Sequence, residues 1–333
     1  MNQGKKGQIQ ILATTQGIIH PTLLQMVEVA GRTCYKSADK ITDNSATGFV
    51  RGIVKSGHES VIEHSWIVFK LTGQETRDNV IMELFLANNL LSITQGENYY
   101  LASGNLRMFR DLFKAHQPST VTDAMLSALK QRLPVFFEDF QETASFNNPD
   151  VVIDPQDHQW TPKEKLAHWS ATVRFQYGSR TMTHQLVRHR PFSPSQESQR
   201  YCDEQDFYES DYFVVPPSIE ANPELKEFYL QVMTELSQKH KTLVKMAKEA
   251  GLTKVREDAR FILPNAVCSE IVITGNLKEW FHFFKMRCES HAQWEIRESF
   301  ANKILSEFKQ IFPGVFDRFQ FSEDGTKADL IKS

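Results

Sequence analysis

The order of apolar and polar residues along the chain predicts alternating strands and helices. Period-two alternation and short apolar runs predict four strands, over residues 8–15, 64–72, 171–177 and 266–274. Apolar residues at helical spacing predict helices from His20-Pro21 onward and over residues 45–55, 76–88, 120–145, 179–189, 223–249, 276–288 and 291–311. A hairpin is predicted over 90–102, residues 314–333 are predicted to fray, and no internal repeat is evident.

The stretch over residues 73–170 differs from the rest of the chain in charge. It holds 13 acidic and 8 basic residues, a net of -5, whereas the whole chain of 333 residues has a net charge of -3. We interpret this stretch as a largely helical insertion with a small apolar core of its own. The insertion would interrupt a single domain that runs over residues 1–333, since the remainder is close to the size of one compact domain.

Composition and charge exclude several classes of protein. Hydrophobic residues make up 41% of the chain and charged residues 24%, which is typical of a globular protein. The small net charge gives no reason to expect a nucleic-acid or membrane partner. No apolar stretch predicts a signal peptide or a membrane span, so a cytoplasmic protein is expected. The four cysteines are isolated and match neither a disulfide framework nor a metal site, and these are Cys34, Cys202, Cys268 and Cys288.

Residues 184–190 combine amide and basic side chains at the end of a predicted helix. Gln185 and Arg188 lie three residues apart and therefore share a helix face. Arg188, His189 and Arg190 fall in the last turn, where the helix dipole favours cations. A basic cap at a helix end accounts for these residues equally well.

The segment that follows is extended, because Pro191 and Pro194 forbid further helix. In an extended chain Gln196, Ser198 and Arg200 project from the same side. Together with the guanidinium groups before them, these side chains suit phosphate oxygens and a polar planar ring. A polar surface loop or a nucleic-acid contact remains an alternative, although no surrounding basic stripe supports the latter.

Three other segments hold candidate groups of lower specificity. Asn276 begins a predicted helix, and capping alone accounts for it. His58 and His64 are not spaced as helical metal ligands, so no metal is expected there. Arg256 and Arg260 share a helix face. Rossmann, Walker and nucleophile-elbow motifs are absent, and no base for a serine nucleophile is evident near Ser198 in the sequence.

These residues resemble the flavin-dependent thymidylate synthases. The family signature is Arg-His-Arg, seven residues and then Ser, which here is Arg188-His189-Arg190 through Ser198, with Gln-Arg-Tyr following at 199–201. Further segments occur in family order, namely residues 30–35, 57–64, 179–187, 260–264 and 274–292. The resemblance covers essentially everything except residues 73–170 and the tail. Within that stretch Ser103-Gly104-Asn105-Leu106-Arg107 resembles longer members of the family.

The resemblance implies a reaction and a fold. It implies that dUMP and methylenetetrahydrofolate give dTMP with FAD as cofactor and NADPH as its reductant, and that no covalent enzyme nucleophile is needed. It also implies an α+β fold with a mixed or antiparallel sheet flanked by helices. A homotetramer with active sites between subunits is the implied assembly.

The resemblance also implies which residues act, position by position. The catalytic residues would be Arg287, which polarises the uracil, and His58 near the flavin. The residues implied to contact FAD are Ser60, Arg188, His189, Arg190, Gln196, Asn276, Lys278 and His282. The residues implied to hold dUMP are Gln185, Arg188, Gln196, Ser198, Arg200, Arg260 and Arg287.

Two positions depart from the family pattern. Lys278 stands where many members have Arg, and an ammonium cannot form the bidentate fork of a guanidinium. Gln196 stands where some members have Glu. The competing hypotheses are methylation of another uridine nucleotide such as UMP, a nucleic-acid-binding module, and an inactive homologue whose site the insertion covers.

Overall fold

The computed structural model describes residues 4–15, 22–73, 91–115, 120–141, 150–202 and 212–331. The strands are β1 Gln8–Thr14, β2 Trp66–Leu71, β3 Ser92–Gln95, β4 Tyr100–Asn105, β5 Val151–Ile153, β6 Ser170–Ser179, β7 Ser193–Gln196, β8 Cys268–Asn276, β9 Phe319–Phe321 and β10 Ala328–Leu330. The α-helices are α1 Leu23–Cys34, α2 Ser45–Ser56, α3 Leu106–Ala115, α4 Thr120–Arg132, α5 Pro162–His168, α6 Arg180–Leu186, α7 Pro217–Glu220, α8 Pro223–Glu249, α9 Val255–Ala259, α10 Leu277–Arg287 and α11 Asn302–Ile311. The predicted helix over 76–88 lies outside the described residues.

Two antiparallel sheets of four strands each organise the described residues. One has the order β1-β6-β8-β7 and the other the order β5-β2-β4-β3, while β9 and β10 form a separate hairpin. Helices pack around both sheets, which confirms an architecture of helices with antiparallel sheet. The strands predicted from alternation correspond to β1, β2, β6 and β8, and the predicted hairpin over 90–102 corresponds to β3 and β4.

Local chemistry explains where the first two helices begin and end. Thr22 caps α1 through a capping box with Gln25, in which each side chain accepts from the other residue's amide. Helix α2 ends at Gly57, whose φ of 73° is the left-handed conformation that glycine adopts without steric cost. The long helix α8 begins at Pro223 behind the cap Asn222 and matches the predicted range of 223–249.

The described apolar residues of the predicted insertion share a core with the helices before it, so the expected separate core is wrong for them. Phe109 and Leu129 belong to the same buried cluster as Val27 of α1 and Val50 of α2. A second cluster lies against β6 and β8 and includes Trp280 of α10. The shared cluster forms because β2 stands between β4 and β5 in one sheet, so the stretch over 73–170 packs against what precedes it.

Three other boundary predictions are wrong. Helix α4 ends at Arg132 rather than near 145, because Pro134 disfavours helical backbone at the residue before it. The helix predicted over 291–311 begins only with a π-helical segment at Glu295–Ala301. The tail is not frayed as far as residue 331, since the β9–β10 hairpin packs on the body and the amide of Ala328 donates to the Cys288 carbonyl at 2.9 Å.

Candidate functional site

Helix α6 leads into the signature and is shorter than predicted. Its cap Ser179 accepts from the Met182 amide at 3.0 Å and is itself held by the buried carboxylate of Glu295. The helix ends at Leu186 rather than at residue 189. Residues 188–190 therefore lie in the turn after the helix and not in its last turn.

Arg287 contacts two side chains, one in the signature and one on the helix just before it. Its Nε donates to Nε2 of His189 at 2.9 Å, and one terminal nitrogen donates to the side-chain oxygen of Gln185 at 3.4 Å. Because Arg287 ends α10 and Gln185 lies on α6, the guanidinium ties two helices together. The ring of His282 lies 6.0 Å from that of His189 and completes the group. We call Gln185, His189, His282 and Arg287 the arginine cluster.

The arginine cluster is a site of positive potential. Burial lowers the pKa of Arg287, and the nearby charge of Arg188 lowers it further. Burial also lowers the pKa of His189 to about 4, with contributions from Arg287 and His282, so this imidazole is neutral at pH 7. A neutral ring can accept at Nε2 and donate at Nδ1, which fits the hydrogen bond from Arg287. The cluster therefore favours an anionic ligand and provides neutral hydrogen-bonding groups beside it.

Arg188 and Arg190 lie exposed next to the arginine cluster. In the described part of the chain neither guanidinium has an ion-pair partner. Arg188 raises the local positive potential enough to lower the pKa of Arg287. Two exposed guanidinium groups with one residue between them suit a pyrophosphate, which carries oxygens on two phosphorus atoms.

Strand β7 and the turn after it carry the second group of predicted residues. The side-chain nitrogen Nε2 of Gln196 donates to the Ser269 hydroxyl at 3.2 Å, which fixes the Gln196 side chain against β8. The Ser198 hydroxyl accepts from the Arg200 amide at 3.2 Å and so shapes the turn. No histidine or carboxylate contacts this hydroxyl among the residues with described placement, which gives a serine nucleophile no support.

Arg200 and Arg260 converge on one acidic residue. Arg200 Nε lies 3.0 Å from Oε2 of Glu257, and Arg260 Nε donates to the Glu257 carbonyl at 3.1 Å. Beside them lies a cavity of about 480 Å³. Its lining is mostly basic and polar and consists of Arg200, Tyr201, Lys248, Thr253, Lys254, Val255, Arg256 and Glu257. The mostly basic lining of this cavity also attracts anions.

His58 and Ser60 lie exposed on the turn between α2 and β2. Glu59, between them, is anchored by Arg110 and Lys114 of α3, each at 2.8 Å from Oε1. Burial opposes ionisation of Glu59, but these hydrogen bonds outweigh it and lower the pKa of the carboxyl. Within the described residues, His58 and Ser60 make no side-chain hydrogen bond to the arginine cluster. Their place at a flavin stays a prediction.

Asn276 and Lys278 begin helix α10. The Asn276 side chain accepts from the Glu279 amide at 2.9 Å, so the predicted capping role is confirmed. Its amide nitrogen lies 3.5 Å from the Ser92 hydroxyl. Lys278 is exposed one turn before His282 on the same helix face. A cofactor role for either residue stays a prediction.

Sequence reasoning missed three residues that organise the site. Glu197 is buried between the signature residues Gln196 and Ser198, and Lys36 pairs with it at 2.9 Å. His64 is buried and contacts β7 and β8. Arg110 is fully buried and anchors Glu59. The sequence could have pointed to Glu197, because it is a charged residue inside the signature. The partners of His64 and Arg110 lie too far along the chain to be inferred from the sequence.

The described residues show neither a metal site nor a helix that could span a membrane. In the described ranges no group of three or more His, Cys, Asp or Glu side chains could hold a metal ion. Burial raises the pKa of Cys34, Cys268 and Cys288, which keeps these thiols protonated. Across the same ranges, no helix combines the length and the apolarity that a bilayer requires.

Comparison with known proteins gives a consistent family match. A sequence model of the family described as thymidylate synthase complementing protein matches residues 18–118 and 156–314. A flavin-dependent thymidylate synthase of Nitratidesulfovibrio vulgaris is 40% identical over 153 residues, which are 45% of this chain and 60% of that protein. The corresponding protein of Corynebacterium diphtheriae is 40% identical over 166 residues, 47% of this chain and 64% of that protein.

The chain thus spans only 60% to 64% of the length of these two curated relatives. Among solved structures, the chain was compared with a UMP/dUMP methylase PolB from Streptomyces cacaoi bound with 5-Br dUMP, and the alignment covers 93% of each chain. The two chains are 14% identical with a TM-score of 0.38, and no argument is drawn from so slight a likeness. The family match leaves residues 119–155 unmatched between its two parts. The boundaries of the predicted insertion at 73 and 170 stay a prediction.

Proposed function

Because the chain belongs to the thymidylate synthase complementing protein family, we propose that it is a flavin-dependent thymidylate synthase that methylates dUMP to dTMP. The observation that carries the proposal is the arginine cluster, in which Arg287 contacts His189 of the signature and Gln185 of helix α6. A half-buried cation that neutral hydrogen-bonding groups hold in place can stabilise an anion that develops beside it. The positive surroundings suit a nucleotide and an anionic cofactor at once.

The nucleotide would be held by Arg200 and Arg260 together with residues of the signature and of the arginine cluster. A phosphate dianion competes well with the single carboxylate of Glu257 for Arg200, because that ion pair is half exposed and therefore weak. Gln196 at the end of β7 and Ser198 in the turn that follows would supply neutral hydrogen bonds. The full proposed set for dUMP is Gln185, Arg188, Gln196, Ser198, Arg200, Arg260 and Arg287.

The donor set around the arginine cluster fits FAD. Arg188 and Arg190 are exposed cations suited to the pyrophosphate, and His189 and His282 offer flat faces and ring nitrogens beside them. The remaining proposed contacts are Ser60, Gln196, Asn276 and Lys278. FAD reduced by NADPH would supply the hydride, and methylenetetrahydrofolate the carbon. His58 is proposed to act near the flavin from the turn before β2.

Arg287 is proposed to act on the uracil ring. A guanidinium fixed by His189 and Gln185 can donate to a uracil carbonyl and stabilise negative charge that develops on the ring. Its lowered pKa still leaves the group protonated at neutral pH, so it acts as a hydrogen-bond donor and a charge. The raised pKa values of the thiols support a route without a cysteine nucleophile.

A homotetramer with active sites between subunits is the proposed assembly. Large apolar side chains are exposed along α8 and near Arg260, and Phe261 has 82% of its surface accessible. Monomeric proteins seldom expose apolar side chains in groups, so a partner subunit against this face is favoured. Light scattering of the purified protein measures the mass of the assembly directly.

The test of the proposed function is dUMP-dependent oxidation of NADPH by purified protein that carries bound FAD. The expected result is dTMP formation that requires dUMP, methylenetetrahydrofolate and FAD together. Replacing dUMP by UMP in the same assay tests the alternative nucleotide. Protein that binds no flavin would contradict the proposal, and salt-dependent binding to unrelated oligonucleotides would favour the nucleic-acid-binding alternative instead.

A further inference from the structure

The two four-stranded sheets match in strand order and in register. In one, the edge strand β7 pairs with β8 so that Ser193 lies opposite Thr274. In the other, the edge strand β3 pairs with β4 so that Ser92 lies opposite Ser103. The edge strands themselves are similar, with Ser-Pro-Ser-Gln at 193–196 and Ser-Ile-Thr-Gln at 92–95.

Both strands β4 and β8 then enter a helix in the same way. The sequences are Ser-Gly-Asn-Leu-Arg at 103–107 and Thr-Gly-Asn-Leu-Lys at 274–278. Asn105 Oδ1 accepts from the Met108 amide and Asn276 Oδ1 from the Glu279 amide, each at 2.9 Å. No internal repeat is evident from the sequence alone, yet the two sheets share strand order, register and helix capping.

A buried histidine precedes the central strand of each sheet and reaches into the other sheet. His64 comes just before β2, yet its Nδ1 lies 2.8 Å from Oγ1 of Thr274 and its Nε2 lies 2.9 Å from Oγ of Ser195. Thr274 and Ser195 belong to β8 and β7 of the sheet that does not contain β2. The imidazole therefore bridges two neighbouring strands across the sheet boundary.

His168 makes the reciprocal contacts. It comes just before β6, and its Nδ1 lies 2.9 Å from Oγ of Ser103 while its Nε2 lies 2.8 Å from Oγ1 of Thr94. Each histidine thus uses Nδ1 for the hydroxyl before a Gly-Asn pair and Nε2 for the hydroxyl before a glutamine. Both imidazoles are buried, with 2% and 0% of their surface exposed.

We propose that the chain contains two related strand-and-helix units that lock onto each other through exchanged histidines, and that His64 is the positioning residue for the nucleotide-binding strand β7. The second clause rests on the proposed function. Ser195, which His64 contacts, is the neighbour of Gln196, and Thr274 lies two residues before Asn276. The His64 imidazole therefore fixes the position of β7, which is proposed to hold dUMP, and of β8, which ends at the proposed flavin contact Asn276.

His168 has the same chemistry, but no residue proposed to bind dUMP lies on the strands β3 and β4 that it contacts. Along the chain, residues 73–91 connect β2 to β3 as the segment with Arg188 connects β6 to β7, and they contain one arginine, Arg77, and no histidine. Burial keeps both imidazoles uncharged, with pKa values lowered to about 3 for His64 and about 4 for His168. The chain therefore offers a matched control in which only the neighbouring ligand groups differ.

The test compares His64→Gln with His168→Gln by amide hydrogen exchange and by titration of the flavin-loaded protein with dUMP. His64→Gln should speed exchange in residues 193–198 and raise the Kd for dUMP about tenfold, the effect of losing one buried hydrogen bond. His168→Gln should lose similar stability and speed exchange in residues 92–95, with the Kd unchanged. Because a glutamine amide reaches nearer the Nε2 position than an asparagine amide does, His64→Gln should retain more dUMP affinity than His64→Asn.

Equal changes in dUMP affinity from the two glutamine variants would make His64 a structural residue only and would overturn the proposal. If the His64 variants do not fold, Ser195→Ala removes the same contact from the other side, with Thr94→Val as its counterpart. Wild-type protein that binds neither dUMP nor flavin would refute the proposed function. The exchange rates would still decide whether His64 fixes β7, so the two failures are distinguishable.

Discussion

At the scale of single residues, Arg287 is the side chain on which most of the proposed chemistry depends. It ends α10, contacts His189 and Gln185, and keeps His189 in a state that accepts at Nε2. Burial and Arg188 disfavour its charge, so an anion bound nearby recovers part of that electrostatic cost. Binding of nucleotide and stabilisation of the uracil anion would therefore reinforce one another at this guanidinium.

Replacing Arg287 by alanine should reduce turnover far more than it reduces flavin binding. Loss of one preorganised donor to a developing anion typically lowers kcat by about 100-fold to 1000-fold. Arg287→Lys retains the charge without the planar fork and should recover only part of the loss. Single-turnover assays measure the rate of turnover, and the flavin absorbance of the purified variants measures how much flavin they bind. Release of flavin from Arg287→Ala would mean that Arg287 belongs to the cofactor site.

At the scale of elements, helix α3 holds the turn that carries His58 and Ser60. Arg110 is fully buried and forms ion pairs with Glu59 at 2.8 Å and with Asp139 at 2.6 Å. The predicted insertion thus anchors the turn that carries His58 and Ser60, which precedes it in the chain. This gives part of the stretch over 73–170 a structural role that its acidic composition did not indicate.

Replacing Arg110 by methionine should destabilise the protein and weaken flavin binding together. The change leaves Glu59 and Asp139 without their shared partner, which we expect to lower the free energy of unfolding by about 2–4 kcal/mol. Arg51→Met is the control, because the Arg51–Glu138 pair is largely exposed and such pairs contribute little. Urea denaturation and flavin titration of both variants measure the effects. An Arg110 variant with unaltered flavin affinity would show that α3 does not position the turn.

At the scale of the whole molecule, buried neutral histidines make stability depend on pH. Burial lowers the pKa of His64 to about 3, and burial opposed by Glu164 lowers that of His168 to about 4, from an ordinary value of 6.5. Both folded-state values lie below the unfolded value, so the unfolded chain binds protons that the folded chain refuses. The stabilisation is fully present above pH 6.5 and is lost as the pH falls below it.

We expect the free energy of unfolding to fall by about 2 kcal/mol per histidine between pH 7.5 and pH 5. Burial raises the pKa of Glu164, but its hydrogen bonds outweigh that effect and lower the pKa to about 2. Carboxylates of this kind change the free energy of unfolding only below about pH 4.5. Urea denaturation at several pH values measures the slope. His168→Gln should remove its own share of that slope, and an unchanged slope in this variant would contradict the assignment.

Local interactions let the sequence predict much of the fold and part of the site. The long helix α8, the strands β1, β2, β6 and β8 and the cap at Asn276 all follow from residues within a few positions of one another. The end of α6 and the end of α4 were misplaced, since periodicity locates an apolar face better than a helix terminus. The signature itself is a local pattern, so the family could be identified before the structure.

The sequence by itself determined the strands β1, β2, β6 and β8, the long helix α8, the cap at Asn276 and the presence of a basic signature. Only the tertiary structure decided that His64 bonds Ser195, 131 positions away, that Arg287 bonds His189, and that Arg110 anchors Glu59. Hydrogen bonds require their partners within about 3 Å. Periodicity fixes the face on which a side chain lies, but the packing of distant elements fixes which partner meets that face.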